Sequence, residues 1–518
     1  MKKICLIIPD SPFLLDARVF PFIGILKVAS AYQQQGAIVD VVDLSGVTNW
    51  KDVVDKYFQE NSDFEFIGLT ATTPQMPMTF DIATYIKSKN DQFKMVIGGT
   101  HVTLMHTAMK LEQKNLVVNG RSRQNIEKIK EVFDVLVCGD GELLLPLVRQ
   151  TDKGIIDADD RKSEFFLSDK QFSELPPPAR HLIDLETYQY TIEGHKATSL
   201  IGQLGCPYRC SFCSGRNSPS LRVIRNRDPE SIVKEIEFLH KKYDFTGFMF
   251  YDDELNLNKS MIDLMHKLTD LQMKLGKEFR LRGFIKSELF DEIQAKAMYD
   301  AGFRWLLCGF ESGDDRILKN IEKQATKAEN SRALEIGKKF NLKTKALMSV
   351  GHAGESEETV ENTKKWLLEN KPDDFDCTVI TTYPGSPYYD SAKQSEEDPS
   401  VYVYTQPKTG DLLFQKSLDY TKECDYYKGI PGNYISYVWT DKIDAKTLVD
   451  ARDALERDVR KELNIPFNPT GVAKQYEHSM GQGNVLPDWL LRSSMKFKDE
   501  SVEIVEKVAK KRLLEVVK

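Results

Sequence analysis

Three cysteines in one short loop, Cys206, Cys210 and Cys213, are spaced CxxxCxxC and are the residues of this chain best suited to chemistry. An iron–sulfur cluster needs four ligands, so three thiolates leave one iron open to a group that the protein does not supply. That vacancy points to reaction at the cluster. A structural zinc site instead closes all four positions with Cys or His, and the nearest histidines, His195 and His240, fall far outside a zinc knuckle. A disulfide framework suits a small, cysteine-dense domain in an oxidising compartment, whereas this chain has 8 Cys in 518 residues. Packing alone gives no reason for three cysteines to crowd together beside Gly205 and Pro207.

The loop resembles that of the radical S-adenosylmethionine (radical SAM) enzymes, whose signature places an aromatic residue, here Phe212, before the last cysteine. The resemblance implies a 4Fe-4S cluster whose open iron binds the amino and carboxylate groups of S-adenosylmethionine. It also implies that an electron from the cluster splits the sulfonium to a 5′-deoxyadenosyl radical.

The elements that position such a loop can be read from the pattern. Residues 1–150 alternate apolar strands (Ile4–Ile8, Val39–Val42, Phe66–Thr70, Met95–Ile97, Val135–Val137) with amphipathic helical stretches. This argues a Rossmann-like, doubly wound parallel sheet. Ligands of such sheets bind beyond the carboxyl ends of the strands, which singles out Asp10, Asp43, Thr72, Thr73, Gly98, Gly99 and the run Gly139, Asp140, Gly141, Glu142. Taken alone, glycines after strands also simply make turns.

This half resembles the cobalamin-binding domain that precedes many radical SAM domains. The likeness rests on Gly98-Gly99-Thr100-His101-Val102-Thr103 and on Cys138-Gly139-Asp140-Gly141-Glu142. It implies cobalamin contacts from these residues, with Thr72-Thr73 beside the lower face of the corrin. The Asp-x-His-x-x-Gly motif that supplies a cobalt ligand elsewhere is missing, and His106 does not restore it. The expectation is therefore cobalamin without a protein histidine ligand, and His101 as a turn residue near the corrin.

A polar, proline-rich stretch at 151–196 reads as a linker, stiffened by Pro176-Pro177-Pro178. Residues 197–392 then show six further strand–helix units, which suggest a partial (βα)6 barrel with chemistry at the strands' carboxyl ends. Each strand end matches the radical SAM family. Asp252, Asp253 and Glu254 resemble the segment that meets the ammonium of S-adenosylmethionine. Gly309-Phe310-Glu311-Ser312-Gly313 resembles Gly-x-Glu-Ser-Gly, which implies that Glu311 and Ser312 face the cofactor's ribose and methionine parts. Gly351 and Gly354 lie in a segment similar to Gly-x-Pro-Gly-Glu-Thr near adenine, with Ala353 where proline is usual. Tyr383-Pro384-Gly385-Ser386-Pro387 is similar to a turn common in the cobalamin-linked subfamily. At the third strand end that subfamily carries an arginine, for which Arg282 and Lys286 are both candidates, although lysine lacks the bidentate fork.

Residues 393–518 are expected to be a mainly helical region that caps the barrel and shapes the substrate pocket. They contain an aromatic-rich run (Tyr402, Tyr404, Tyr426, Tyr427, Tyr434, Tyr437, Trp439), a helix near Ala445–Leu463, a Gly481-Gln482-Gly483 stretch and a last amphipathic helix with Lys510-Lys511-Arg512. A net charge of −7 gives no basic field for bulk nucleic acid. No apolar run is long enough for a membrane span. The five apolar residues before Pro9 read as a strand rather than a signal peptide, so the expected compartment is the cytoplasm.

By resemblance, the expected reaction is methylation of an unactivated carbon on a small molecule or peptide, using the deoxyadenosyl radical and methylcobalamin. An electron donor such as flavodoxin or ferredoxin is implied. Cyclisation, ring contraction or rearrangement with the same cofactors is the alternative. A cluster protein serving only electron transfer or sensing is the second.

Overall fold

A computed structural model describes residues 2–11, 17–47, 49–117, 119–424 and 435–465. Tyr426, Tyr427, Tyr434, the Gly481–Gly483 stretch and the Lys510–Arg512 helix of the sequence reading lie outside the described residues.

The amino-terminal sheet has six parallel strands, β1 (Lys3–Ile8), β2 (Ile38–Asp43), β3 (Phe64–Thr70), β4 (Met95–Gly98), β5 (Val135–Cys138) and β6 (Gly154–Asp157), in the order β2-β1-β3-β4-β5-β6. Apolar side chains leave both faces, as a doubly wound sheet requires. On one face Ile25, Leu26, Ala29 and Tyr32 of helix Ile23–Gln34 pack with Leu145 and Val148. On the other, helices Met76–Lys89, Thr100–Lys114 and Arg121–Val132 contribute Ile82, Val102, Met105, Ile126 and Ile129. Strand β6 falls inside the span expected to be linker. Its four residues Gly-Ile-Ile-Asp pair with β5 as an edge, too short to give a repeat that the sequence pattern could reveal.

The rest of the linker follows helix Ile23–Gln34, where Ala179 donates its amide to the Leu26 carbonyl at 2.9 Å and Ser30 donates to the Pro177 carbonyl at 2.7 Å. Arg180 then enters the second domain. Its guanidinium and that of Arg227 each meet one oxygen of the buried Glu235 carboxylate at 2.7 Å. Two cations on one carboxylate hold its pKa below the usual value despite burial.

The second sheet contains β7 (Thr191–Ile192), β8 (His195–Leu200), β11 (Gly247–Phe250), β12 (Arg280–Ile285), β13 (Phe303–Glu311), β14 (Lys343–Val350) and β15 (Asp374–Val379), with the small pair β9 (Gln203–Leu204) and β10 (Arg225–Asn226) set apart. Six strands from β8 to β15 run parallel, and β7 pairs antiparallel at one edge. The sheet order is β15-β14-β13-β12-β11-β8-β7, so the barrel is open. The six units read from the sequence are all present.

The carboxyl-terminal region carries the helix Ala445–Leu463 as expected. A four-stranded antiparallel sheet precedes it: β16 (Lys393–Gln394), β17 (Val401–Thr405), β18 (Leu412–Lys416) and β19 (Val438–Trp439). The alternation Val401-Tyr402-Val403-Tyr404 was the signal for it, because β-branched and aromatic residues fit a pleated, half-buried surface. Helix Ala445–Leu463 covers the open edge of β15. There Arg452 donates to the Cys377 carbonyl at 2.7 Å, the Cys377 amide donates to Glu456 at 2.8 Å, and Arg460 donates to the Phe375 carbonyl at 2.6 Å. No helix among the described residues is long and apolar enough to cross a membrane.

Candidate functional site

The cysteine loop leaves the second sheet after β8 and is held by its backbone. Gly205 has φ +86°, and a Cβ there would lie 2.1 Å from the Val223 carbonyl oxygen, so only glycine fits this turn. The Cys206 amide donates to Leu221 O at 3.0 Å and the Ser211 amide to Ile321 O at 2.8 Å. Cys210 is buried, Cys206 half-buried and Cys213 exposed. Burial pushes the Cys206 thiol up to about 12, and raises that of Cys210 against the pull of Lys323 and Lys286. A cluster is held by thiolates, so its binding at this loop would release the protons of these thiols. Among the described residues no three His, Cys, Asp or Glu side chains converge where one metal ion could sit, the three cysteines included. Three ligands that each take a separate iron of a cluster need not meet at one point, whereas zinc ligands must.

The acidic run after β11 divides its labour. Asp252 and Asp253 accept from the backbone amides of Gly202 and Gly205, both at 2.6 Å, and so brace the cysteine loop. Glu254 is half-buried, and its shielded Oε2 has no hydrogen-bond partner, nor has Asp252 Oδ2. Burial lifts its pKa to about 7, opposed by Lys323 and Lys286. An orphaned carboxylate oxygen beside three thiols suits a ligand that brings its own cation.

Of the two candidates at the third strand end, Lys286, one residue beyond β12, stands at this site: its Nζ lies 3.9 Å from the Tyr208 ring centroid, 2.7 Å from Glu288 and 3.0 Å from the Lys323 carbonyl. Arg282 lies deeper in the half barrel, against Met249 and the Tyr190 hydroxyl. The difference is one of depth along the strand, which residue type does not reveal.

Glu311 ends β13 with φ +65°, a strained conformation for a residue with a Cβ. Its carboxylate pairs with buried Lys323 at 3.0 Å and accepts from Ser349 at 2.9 Å, contacts that lower its pKa. Ser349 in turn lies 2.9 Å from His352 Nε2, and the Phe212 ring lies 5.4 Å from the His352 ring. Ser312 is fully buried, with its hydroxyl 3.2 Å from Thr363 Oγ1 and accepting from the Asp314 amide at 3.1 Å. Gly351 and Gly354 both have positive φ, and Gly354 packs against Asn320 and Asp411. Lys323, His352, Ser349 and Tyr208 were not singled out from sequence. Nothing in the run Asp314–Lys327, where Glu322 sits directly before Lys323, sets that lysine apart in the sequence.

A cavity of about 380 Å³ opens beyond the carboxyl ends of the first sheet. Thr70–Thr72, Gly98–Thr100, Thr103 and Gly139–Glu142 line its mouth, and Leu6, Gly24, Val28 and Gly68 line a slot between the sheet and helix Ile23–Gln34. Ile201, Leu204, Ser220 and Leu221, which flank the cysteine loop, close the far side. Gly99 has φ +100°, and a Cβ there would lie 2.8 Å from the Ala71 backbone, so the cradle depends on glycine. Glu142 pairs with Lys27 at 3.1 Å, and Asp140 with Arg225.

Other expected cavity residues stand elsewhere. Asp10 accepts from the Gly46 amide at 2.8 Å, and Asp43 pairs with Arg18 at 3.1 Å and accepts from the Tyr188 hydroxyl, so both shape the β1–β2 end outside the cavity. Thr73 and His101 pair with each other at 3.0 Å beneath the Thr72 loop, with His101 edge-on to Tyr420. Burial drives the His101 pKa down to about 3. An unfolded histidine titrates near 6.5, so below that pH the unfolded chain takes up a proton that the folded chain refuses. The His101 contribution is complete above pH 6.5 and is lost as pH falls, at about 1.4 kcal/mol per unit. Denaturant titrations between pH 4.5 and 6.5 should show this slope reduced by one proton in His101→Gln. An unaltered slope contradicts the buried neutral ring.

A half barrel presenting three thiols at its strand mouths, joined across a glycine-lined cavity to a parallel sheet, defines an iron–sulfur enzyme with a second large cofactor. Residues 200–367 match the radical SAM superfamily, and residues 18–130 match the B12 binding domain. An uncharacterized methyltransferase of Pyrococcus horikoshii is 26% identical over 406 residues, covering 76% of this chain and 83% of that protein. An anaerobic magnesium-protoporphyrin IX monomethyl ester cyclase of Rubrivivax gelatinosus is 26% identical over 378 residues, covering 69% of this chain and 64% of that protein. The structure of TsrM from Kitasatospora setae, a radical S-adenosylmethionine methyltransferase with cobalamin and a 4Fe-4S cluster bound, superposes with a TM-score of 0.64 at 16% identity, covering 98% of this chain and 100% of that one. That likeness is one of fold. The chain belongs to the radical SAM superfamily, among the members that carry an amino-terminal B12-binding domain, and its cofactors are a 4Fe-4S cluster, S-adenosylmethionine and cobalamin.

Proposed function

We propose that this chain is a methyltransferase that acts on an unactivated carbon of a small molecule or peptide. One observation carries the reading: the glycine-lined cavity is walled on one side by the carboxyl ends of the first sheet and on the other by Leu204, Ser220 and Leu221, the flanks of the cysteine loop. The two cofactors thus face a shared space. The Pyrococcus relative named a methyltransferase supports it.

When bound, the cluster supplies an electron for reductive cleavage of S-adenosylmethionine, and cobalamin supplies a methyl group. Cys206, Cys210 and Cys213 hold the cluster, and Asp252 and Asp253 fix their loop. Glu254 offers its unpartnered oxygen to the methionine ammonium, while Lys286 and Lys323 stand ready for the carboxylate. Glu311, held by Lys323 and Ser349, is placed to accept from the ribose. Gly98, Gly99, Gly139 and Gly141 let backbone approach the corrin, and Thr72 and Thr103 line its rim. Neither His101 nor His106 lines the cavity, which supports a corrin bound without a protein histidine on cobalt. Burial of the site between two sheets and the carboxyl-terminal region excludes water from reactive species. The electron comes from a small reduced carrier protein such as a flavodoxin or ferredoxin.

Product mass tests the proposal. Methyl transfer adds one methylene unit per turnover. The Rubrivivax relative, named a cyclase, favours a second reading in which the same cofactors act without methyl transfer. A product with no added carbon would select it.

A further inference from the structure

Between Cys206 and Arg227 the chain carries five arginines, Arg209, Arg216, Arg222, Arg225 and Arg227, and no aspartate or glutamate, within a protein of net charge −7. The fold sorts them. Arg225 turns inward to Asp140 and Arg227 to Glu235. The other three surround the outer side of the cysteine loop: Arg222 donates to the carbonyls of Pro207 and Tyr208, Arg216 donates to the Arg209 carbonyl at 3.0 Å, and Arg209 is exposed. Partial burial and the repulsion of Arg209 and Arg216 lower the pKa of Arg222, a sign that positive charge is crowded here.

Neighbouring elements do little to neutralise it. Glu322 lies 3.3 Å from Arg216 but also 3.6 Å from Lys408, and Asp390 is engaged by Asn217 at 2.9 Å. Among the described residues Arg209 forms no ion pair. Cys213 is the most exposed residue of the three cysteines. Of the groups suited to S-adenosylmethionine, Lys286 and Lys323 are buried within the half barrel and Glu254 is half-buried there. The arginines therefore have another use.

We propose that Arg209, Arg216 and Arg222, with Lys408, form the docking surface of a small acidic one-electron carrier protein, an inference that rests on the cluster reading above. The reduced carrier loses one electron, the cluster gains it, and no bond or proton is exchanged. Opposite charge around the electron's entry point raises the encounter rate and orients the carrier, an effect that salt suppresses.

The test is anaerobic stopped-flow reduction of the reconstituted holoenzyme by flavodoxin hydroquinone, with titanium(III) citrate as a small reductant. Arg209→Glu, and Arg209→Glu with Lys408→Glu, should slow reduction by flavodoxin at least about tenfold at low salt and flatten its salt dependence. Titanium citrate should reduce every variant at the wild-type rate. Equal flavodoxin rates with equal salt slopes overturn the proposal, and so does a parallel loss with titanium citrate, which would make Arg209 a support of the loop. If no reducible cluster forms in the wild type, the cluster reading itself fails. Flavin anisotropy of oxidised flavodoxin then still reports docking, and binding unaffected by charge reversal rejects the surface.

Discussion

A Gly68→Leu protein will purify with its iron–sulfur cluster and without corrinoid. Gly68 lies in β3 on the face that looks into the slot under helix Ile23–Gln34. A Cβ there would stand 2.8 Å from Leu6 Cδ2, the far end of a flexible side chain, so the fold can take one by moving Leu6. The remaining leucine carbons have nowhere to go but the cavity of about 380 Å³. Filling a void of this kind typically costs the fold about 1–3 kcal/mol, whereas a rigid ligand has no way to share the space. Corrinoid content should fall at least about tenfold, and methylated product with it, while 5′-deoxyadenosine formation stays within about threefold because a Cβ at Gly68 meets only Leu6 and Phe66, on the sheet side of the shared space and not at the cysteine loop. Iron, corrinoid and both products are measured on one preparation. Corrinoid retained near one per chain would show that the slot is not its site.

Cys206→Ala should abolish cleavage of S-adenosylmethionine and leave the fold intact. The side chain is half-buried, and the loop is held by backbone contacts that alanine keeps, including the Cys206 amide to Leu221 O at 3.0 Å. A cluster left with two protein thiolates is not retained. Iron should drop from about four per chain to a residue of loosely bound metal, and 5′-deoxyadenosine should fall by about a thousandfold or more. The melting temperature of the two metal-free proteins should agree within about 4 °C. Turnover in Cys206→Ala near the wild-type level would falsify the assignment of the loop.

Much of this was legible in the chain, and the gaps have physical causes. The six strands of the half barrel were readable because each is a short apolar run whose end is marked by polar or glycine residues, as at Gly351 and Glu311. The small sheet β16–β19 was not read as strands, since the same tyrosines that favour a pleat also serve as packing. Within Asp252-Asp253-Glu254 the sequence shows three equivalent acids. Only the fold shows that Asp252 and Asp253 each give one oxygen to the amides of Gly202 and Gly205, and that one oxygen of Asp252 and one of Glu254 are left bare. Arg282 was a candidate by residue type, but it lies within β12, whereas Lys286 follows the strand's last residue at the mouth. Gly68 escaped notice because a glycine within a strand has no partner motif; its meaning lies in the helix above it.

The comb of Arg452, Glu456 and Arg460 along β15 has a consequence for how such an enzyme behaves in a crowded solution. An open barrel exposes a raw strand, a template on which a second molecule could zip. Here guanidinium and carboxylate groups answer the carbonyls and amide of that strand one by one. The mouth can thus stay unclosed for large cofactors while the rim is denied to neighbouring copies.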